Sequence, residues 1–386
     1  MKKILIFTLP TGNGHNQVAK VLKKILSTED IEIKIINPLD EASIFSKTII
    51  QKGYLFTASN VPVIYCNLYK YSNSINLPNS IVDFYHKKIH FSLLKEILSE
   101  LPDMVISTHP ILNQSLSKIK NSVKYSLVSI VTDFRAHKIY VADNVDIYVT
   151  SSTETKEDLS QKGINPDIIH PYGIPISEEF LAPPKKTNKV LKRNNKLNIL
   201  IMGGSLGIGI KKKDLIKIIE NVPNCKYTIV CGTNIRLYEN LKKLITKKHL
   251  EMITLYKFTD KIPHLMESSD LIISKPGGIT LTEAILKNLP IIIPYTIPGQ
   301  EEENAAFVEK HNLGKLAFSR KKIIKLLKYF IENRSEIEAL KKNSLSFSKN
   351  YLLEKTKKLL INLLYMEDKK IKQPNQESSL ETAACG

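Results

Sequence analysis

Apolar runs of strand length alternate with helix-length stretches along most of the chain, a pattern that predicts parallel sheets flanked by helices. In the first half the strand-like runs are 3–7, 31–36, 104–107, 125–131 and 147–149, which predict one doubly wound α/β domain over residues 1–170. Prolines, lysines and asparagines break the pattern over 171–195, a stretch that reads as an interdomain linker. The alternation restarts at 197–202, 227–230, 253–256, 271–273 and 291–293, predicting a second α/β domain over 196–345 and a helix over 346–366. Residues 367–386 show no periodicity and are expected to be disordered.

With 386 residues, 42% of them hydrophobic, the chain is too long for one core and suits two domains with a cleft between them. No run approaches the roughly 18 apolar residues that cross a bilayer, and Met1-Lys2-Lys3 leads into a strand without a small-residue cleavage site. These features predict a cytoplasmic protein. Cys66, Cys225, Cys231 and Cys385 form no C-x-x-C pair, so buried thiols are expected rather than a zinc site or disulfide framework.

The net charge of +18 comes from 56 basic and 38 acidic residues, and only five of the 56 are arginine. With no Trp and no block of interleaved aromatic and basic residues, the chain lacks the usual means of reading nucleic acid. Docking on an anionic membrane surface and simple solubilisation by lysine are the two readings left.

Candidate chemistry concentrates in 274–304. Gly277-Gly278 follows an apolar strand and precedes a helix-like 281–286, which puts bare backbone N–H groups at a helix N-terminus suited to an anion. After the next strand, Pro298-Gly299-Gln300-Glu301-Glu302-Glu303-Asn304 offers hydrogen-bonding groups for sugar hydroxyls. A phosphate site beside a polyol site implies a nucleotide sugar. Each domain also opens on a glycine turn. In the first, Gly12-Asn13-Gly14-His15 places His15 at a helix start facing the cleft. There it either acts as a base, kept neutral by the positive end of the helix, or merely caps the helix. In the second, Gly203-Gly204-Ser205 is a plausible phosphate cradle without the G-x-G-x-x-G spacing, and Lys211-Lys212-Lys213 attracts a diphosphate or lies in solvent. No D-x-D pair stands beside the phosphate loop, so no metal and no other cofactor is expected.

The segments Gly12 to Ala19, Thr132-Asp133-Phe134 with His137, Gly203-Gly204-Ser205, Ser274 to Ala284, and Pro298 to Asn304 resemble, in order and spacing, the processive diacylglycerol glucosyltransferases and monogalactosyldiacylglycerol synthases of glycosyltransferase family 28. The resemblance covers about residues 1–365 and implies a GT-B fold of two facing Rossmann-like domains. The first would bind a diacylglycerol or glycolipid acceptor at the membrane, and the second a UDP-sugar. It implies that His15 is the base, supported by Asp133 and His137. It places the diphosphate on the backbone of Gly277, Gly278, Ile279 and Thr280, with Lys275, Gly14, Gly203, Gly204 and Ser205 nearby. Glu283 would take the ribose hydroxyls, Gln300 and Glu301 the sugar hydroxyls and Phe258 the uracil, with Asn304 also in the donor site.

The implied protein is an inverting hexosyltransferase, peripheral on the inner face of the cell membrane, transferring glucose or galactose. Membrane contact would come from the aromatic-rich 54–71 and from the helix-like 84–101 with Lys87, Lys88 and Lys95, unless both are core helices. A soluble acceptor, or a non-catalytic UDP-sugar-binding protein on the same fold, remains open at this stage.

Overall fold

The computed structural model describes residues 1–9, 13–39, 80–181, 196–204, 207, 211–246, 249 and 251–371, with backbone alone for 80–86 and 367–371. Ser205, Cys66, Cys385, the aromatic-rich 54–71, the 182–195 part of the linker and the tail beyond 371 lie outside the described residues.

The first sheet contains β1 (Lys2–Phe7), β2 (Ile31–Ile36), β3 (Met104–Ser107), β4 (Ser126–Ile130), β5 (Ile147–Val149) and β6 (Ile169–His170). Its order is β2-β1-β3-β4-β5-β6, and every pairing is parallel. Around it lie α1 (Asn13–Leu26), α2 (Ser80–Glu100), α3 (Pro110–Lys120) and α4 (Thr153–Gln161). Helices on both faces bury the central strands from either side. Ile4, Leu5, Ile6 and Phe7 are therefore all buried, which is why β1 reads as a continuous apolar run rather than an alternating one. α1 follows helical spacing instead, burying Val18, Ala19, Leu22, Ile25 and Leu26 while Lys20, Lys23 and Lys24 face water.

The second sheet contains β7 (Leu197–Met202), β8 (Cys225–Val230), β9 (Ile253–Tyr256), β10 (Leu271–Ser274), β11 (Ile291–Ile293) and β12 (Gly314–Leu316), in the order β12-β11-β10-β7-β8-β9, again parallel. Its helices are α5 (Lys212–Asn221), α6 (Ile235–Leu244), α7 (Ile262–Glu267), α8 (Gly278–Leu286), α9 (Gln300–Lys310), α10 (Arg320–Glu332) and α11 (Arg334–Ser348). A last helix, α12 (Leu353–Ile371), leaves this domain and packs on α1, where Leu360 and Leu364 join the cluster of Val18 and Leu22.

Two topological switch points result, one between β1 and β3 and one between β7 and β10. In open α/β sheets ligands collect at the carboxyl ends of the strands flanking such a point. The domains meet there through an aromatic cluster: Phe134 of the first lies 4.6 Å from Phe307 of α9, and Phe307 lies 5.4 Å from Phe347 of α11, between ring centroids. Residues 171–181, read from sequence as the start of the linker, are anchored. Tyr172 O accepts from Leu352 N–H, Gly173 packs on the ring of Tyr351, and the Tyr351 hydroxyl accepts from Ile176 N–H at 2.9 Å.

Candidate active site

The site gathers at the carboxyl ends of the strands around the two switch points, β1, β3 and β4 from the first domain and β7, β9, β10 and β11 from the second. Gly278 decides how closely they approach. A Cβ there would collide with the Thr132 carbonyl, so only glycine lets the N-terminus of α8 rest on the loop after β4. A Cβ on Gly14 would lie 3.0 Å from Ile279, so the start of α1 faces the start of α8 across the same seam.

His15 lies in the first turn of α1, with Nδ1 2.7 Å from the Thr108 carbonyl and 3.3 Å from Thr132 Oγ1. A carbonyl only accepts, so Nδ1 carries the proton and Nε2 keeps its lone pair, the state a base requires. Burial lowers its pKa to about 4 against the opposing Thr108 hydrogen bond. The ring is thus held neutral by desolvation, where the sequence had suggested the helix dipole. His109, at the end of β3, was not foreseen. Its ring lies 4.5 Å from that of His15 between centroids, and its Nδ1 accepts from Ile111 N–H to cap α3. Burial pushes the His109 pKa well below the ordinary histidine value, and the neighbouring His15 adds to the shift.

The loop after β4 is fixed from α4. Arg135 grips Asp158 through two contacts of 2.7 and 2.8 Å, Ala136 N–H donates to the same carboxylate, and the Thr155 hydroxyl donates to Phe134 O. Asp133, on this loop, is buried and accepts from the Tyr140 hydroxyl at 2.9 Å. Burial pushes its pKa up to about 6, opposed by hydrogen bonds from Tyr140, Asn304 and Gln300 and assisted by the charge of Glu303. His137 Nδ1 accepts from Ile139 N–H and so caps the short turn Lys138–Tyr140.

Asn304, expected in the donor site, lies buried where the two domains meet. Its Oδ1 accepts from Phe134 N–H at 3.0 Å, while Nδ2 donates to Pro276 O at 3.0 Å and to Asp133 at 3.4 Å. At 1% exposure it is a bridge between domains, with no face left for a sugar. Gln300 stands one helical turn earlier on the same face of α9 and, by its nearness, helps lower the Asp133 pKa.

On the donor side, Gly277 caps α8 with no side-chain capping bond and open space where a Cβ would be. The N–H groups of Gly278, Ile279 and Thr280 form the first turn, which has no partners within the helix. Gly204, after β7 at φ +66°, brings its α-carbon beside Lys275, which forms an ion pair with Glu301. Glu301 Oε2 also accepts from Ile297 N–H at 2.9 Å, so this carboxylate fixes both the lysine and the loop before α9. Gly203 precedes Gly204 at the end of β7. Glu283 differs: among the described residues its carboxyl meets no hydrogen-bond partner, and burial pushes its pKa up to about 8. Phe258 follows β9 and is 58% exposed.

Residues 15–176 match the monogalactosyldiacylglycerol (MGDG) synthase family, and residues 198–361 match the glycosyltransferase family 28 C-terminal domain. The chain is 30% identical over 355 residues to the processive diacylglycerol beta-glucosyltransferase of Bacillus pumilus, an alignment covering 89% of this chain and 90% of that one. It belongs to that family. The protein of the same name from Bacillus cereus is 32% identical over 312 residues, 80% of each chain. MurG of Acinetobacter baumannii, a solved structure, shares the fold with a TM-score of 0.62 at 14% identity, over 94% of this chain and 100% of that one. The two facing parallel sheets are those of the GT-B fold.

Proposed function

We infer that this chain is an inverting glycosyltransferase that moves a hexose from a UDP-sugar to diacylglycerol or a glycosyl-diacylglycerol at a membrane surface. The observation that carries this reading is the juxtaposition of a neutral histidine with an uncapped helix N-terminus, His15 facing Ile279 through Gly14. The name of the relatives favours glucose as the sugar.

His15 Nε2 takes the proton of the acceptor hydroxyl as its oxygen attacks the anomeric carbon, and the bond to the diphosphate breaks on the opposite side of the sugar. The configuration therefore inverts. Negative charge arriving on the leaving diphosphate meets the backbone N–H groups of Gly278, Ile279 and Thr280, oriented before the reaction begins. Lys275 stands beside Gly204 as a further positive charge. Glu283, partnerless among the described residues, suits the ribose hydroxyls, and the exposed Phe258 ring suits uracil. The backbone N–H groups of Gly278, Ile279 and Thr280, with Lys275 beside them, supply the positive potential a divalent ion would otherwise provide, so turnover should survive EDTA. A loss in EDTA that magnesium restores would overturn this part of the mechanism.

His15→Ala tests the whole reading. Turnover of UDP-glucose with dioleoylglycerol should fall at least about 100-fold, the usual scale for removing a general base, while UDP binding by calorimetry stays near wild type. Wild-type turnover in this variant would remove His15 from the mechanism.

A further inference from the structure

We propose that Thr132 and Tyr140 are positioning residues that orient His15, whose tautomer the Thr108 carbonyl sets, and tie it, through Asp133, to the seating of the second domain. The proposal rests on His15 being the base. Direction is set by chemistry at the two ends. A carboxylate only accepts, so the Tyr140 hydroxyl must donate its proton to Asp133 Oδ2 at 2.9 Å. Tyr140 Oη then accepts from Thr132, from its N–H at 3.3 Å and from its hydroxyl at 3.2 Å. With that proton committed, Thr132 Oγ1 faces His15 as an acceptor only, 3.3 Å from Nδ1. Every donor therefore points the same way, from imidazole to carboxylate.

The arrangement has two consequences. The Nδ1 proton is held by the Thr108 carbonyl and the Thr132 hydroxyl together, which leaves Nε2 bare toward the acceptor. When Nε2 takes the acceptor proton, the new positive charge faces a chain of aligned dipoles ending on Asp133, and no proton travels along that chain. The far end belongs to the other domain. Asn304 donates to Asp133 while also holding Pro276 O, the carbonyl just before Gly277. Thr132, Asp133, Tyr140 and Asn304 are all buried, so water does not compete for these bonds. The base is thus ordered by the same contacts that seat the phosphate-binding loop.

The test compares Tyr140→Phe, Thr132→Val, their double variant and Thr132→Ser, using UDP-glucose and dioleoylglycerol in phosphatidylglycerol vesicles. Each of the first two should lower kcat about 10- to 100-fold with KM for UDP-glucose within about twofold. Because a chain is broken only once, the double variant should be no slower than the slower single one. Thr132→Ser keeps the hydroxyl and should recover most of the activity.

The pH profile is a second readout. Asp133 faces Tyr140, Asn304, Gln300 and Glu303, and its protonation near pH 6 would take away the charge that makes the last bond strong. The wild-type kcat should therefore fall as pH drops through about 6, and this limb should vanish in Tyr140→Phe. Multiplicative losses in the double variant, wild-type kcat in both single variants, or a loss confined to KM would overturn the proposal. If Tyr140→Phe does not fold, the contrast between Thr132→Val and Thr132→Ser decides alone. Full turnover by His15→Ala would instead remove the base on which the proposal rests.

Discussion

Burial pushes the Glu283 carboxyl up to about 8 from 4.5, and among the described residues nothing pairs with it. Between about pH 4.5 and 8 the folded chain holds a proton that the unfolded chain has released. Stability therefore falls as pH rises through this window, by less than the roughly 1.4 kcal/mol per pH unit of a fully desolvated group, because Glu283 keeps some exposure. Glu283→Gln keeps the shape and removes the titration, so it should raise the melting temperature more at pH 8 than at pH 5. The same change should weaken UDP binding by about 1 to 3 kcal/mol, measured by calorimetry. An equal thermal shift at both pH values would mean that Glu283 is not the titrating group. Other residues were less legible in the sequence. His15 stands out because it follows a glycine turn, but Ser107-Thr108-His109-Pro110 looks like a helix cap, which it also is. Only the adjacency of β1 and β3 brings His109 to His15, and that pairing is not written in either run. Asn304 reads as a donor-site residue because it ends a polar loop. The helical repeat of α9 instead turns it, with Gln300, toward Asp133.

At the scale of elements, ten of the twelve described strands were visible as apolar runs, the eight inner ones because helices cover both faces of each sheet. β6 and β12 were not. Ile169–His170 and Gly314–Leu316 are short edge strands, buried too little to need a continuous apolar sequence. The glycine pair before α8 was legible as a helix start, whereas its second task, resting on the Thr132 carbonyl, depends on how the domains meet. Gly278→Ala separates the two tasks, since alanine still permits a helix. The added methyl must push α8 away from the first domain, and overpacking of this kind costs about 1 to 3 kcal/mol. Displacing the phosphate site from His15 by about 1 Å should cost on the order of 100-fold in kcat. Gly277→Ala faces open space and should lose far less. Steady-state kinetics on the pair checks this, and equal losses would mean that backbone conformation rather than contact governs the site.

For the whole molecule, +18 charges must be reconciled with a lipid acceptor, and among the described residues no helix is long and apolar enough to cross a membrane. α2 suggests how the surface is reached. Ile89, Leu93 and Ile97 are buried in the first domain, while the outer face presents Lys87, Lys88, Phe91, Lys95 and Leu98, with Phe91 71% exposed. Lysines and apolar side chains sharing an outer face match a helix that lies on a bilayer. Binding through the lysines alone should disappear as salt shortens the screening length from about 10 Å at 0.1 M to about 3 Å at 1 M. Binding through Phe91 and Leu98 should persist. Co-sedimentation with phosphatidylglycerol vesicles should therefore fall with salt to a residual level, and neutral vesicles should retain little protein. Replacing Phe91 and Leu98 together by serine should abolish that residue of binding at 1 M salt while leaving UDP affinity unchanged, because α2 lies outside the donor domain. If the double variant binds like wild type at every salt concentration, the bilayer contact lies elsewhere on the molecule. If the wild type binds no anionic vesicle at any salt, the acceptor must reach the cleft without the protein docking on a membrane.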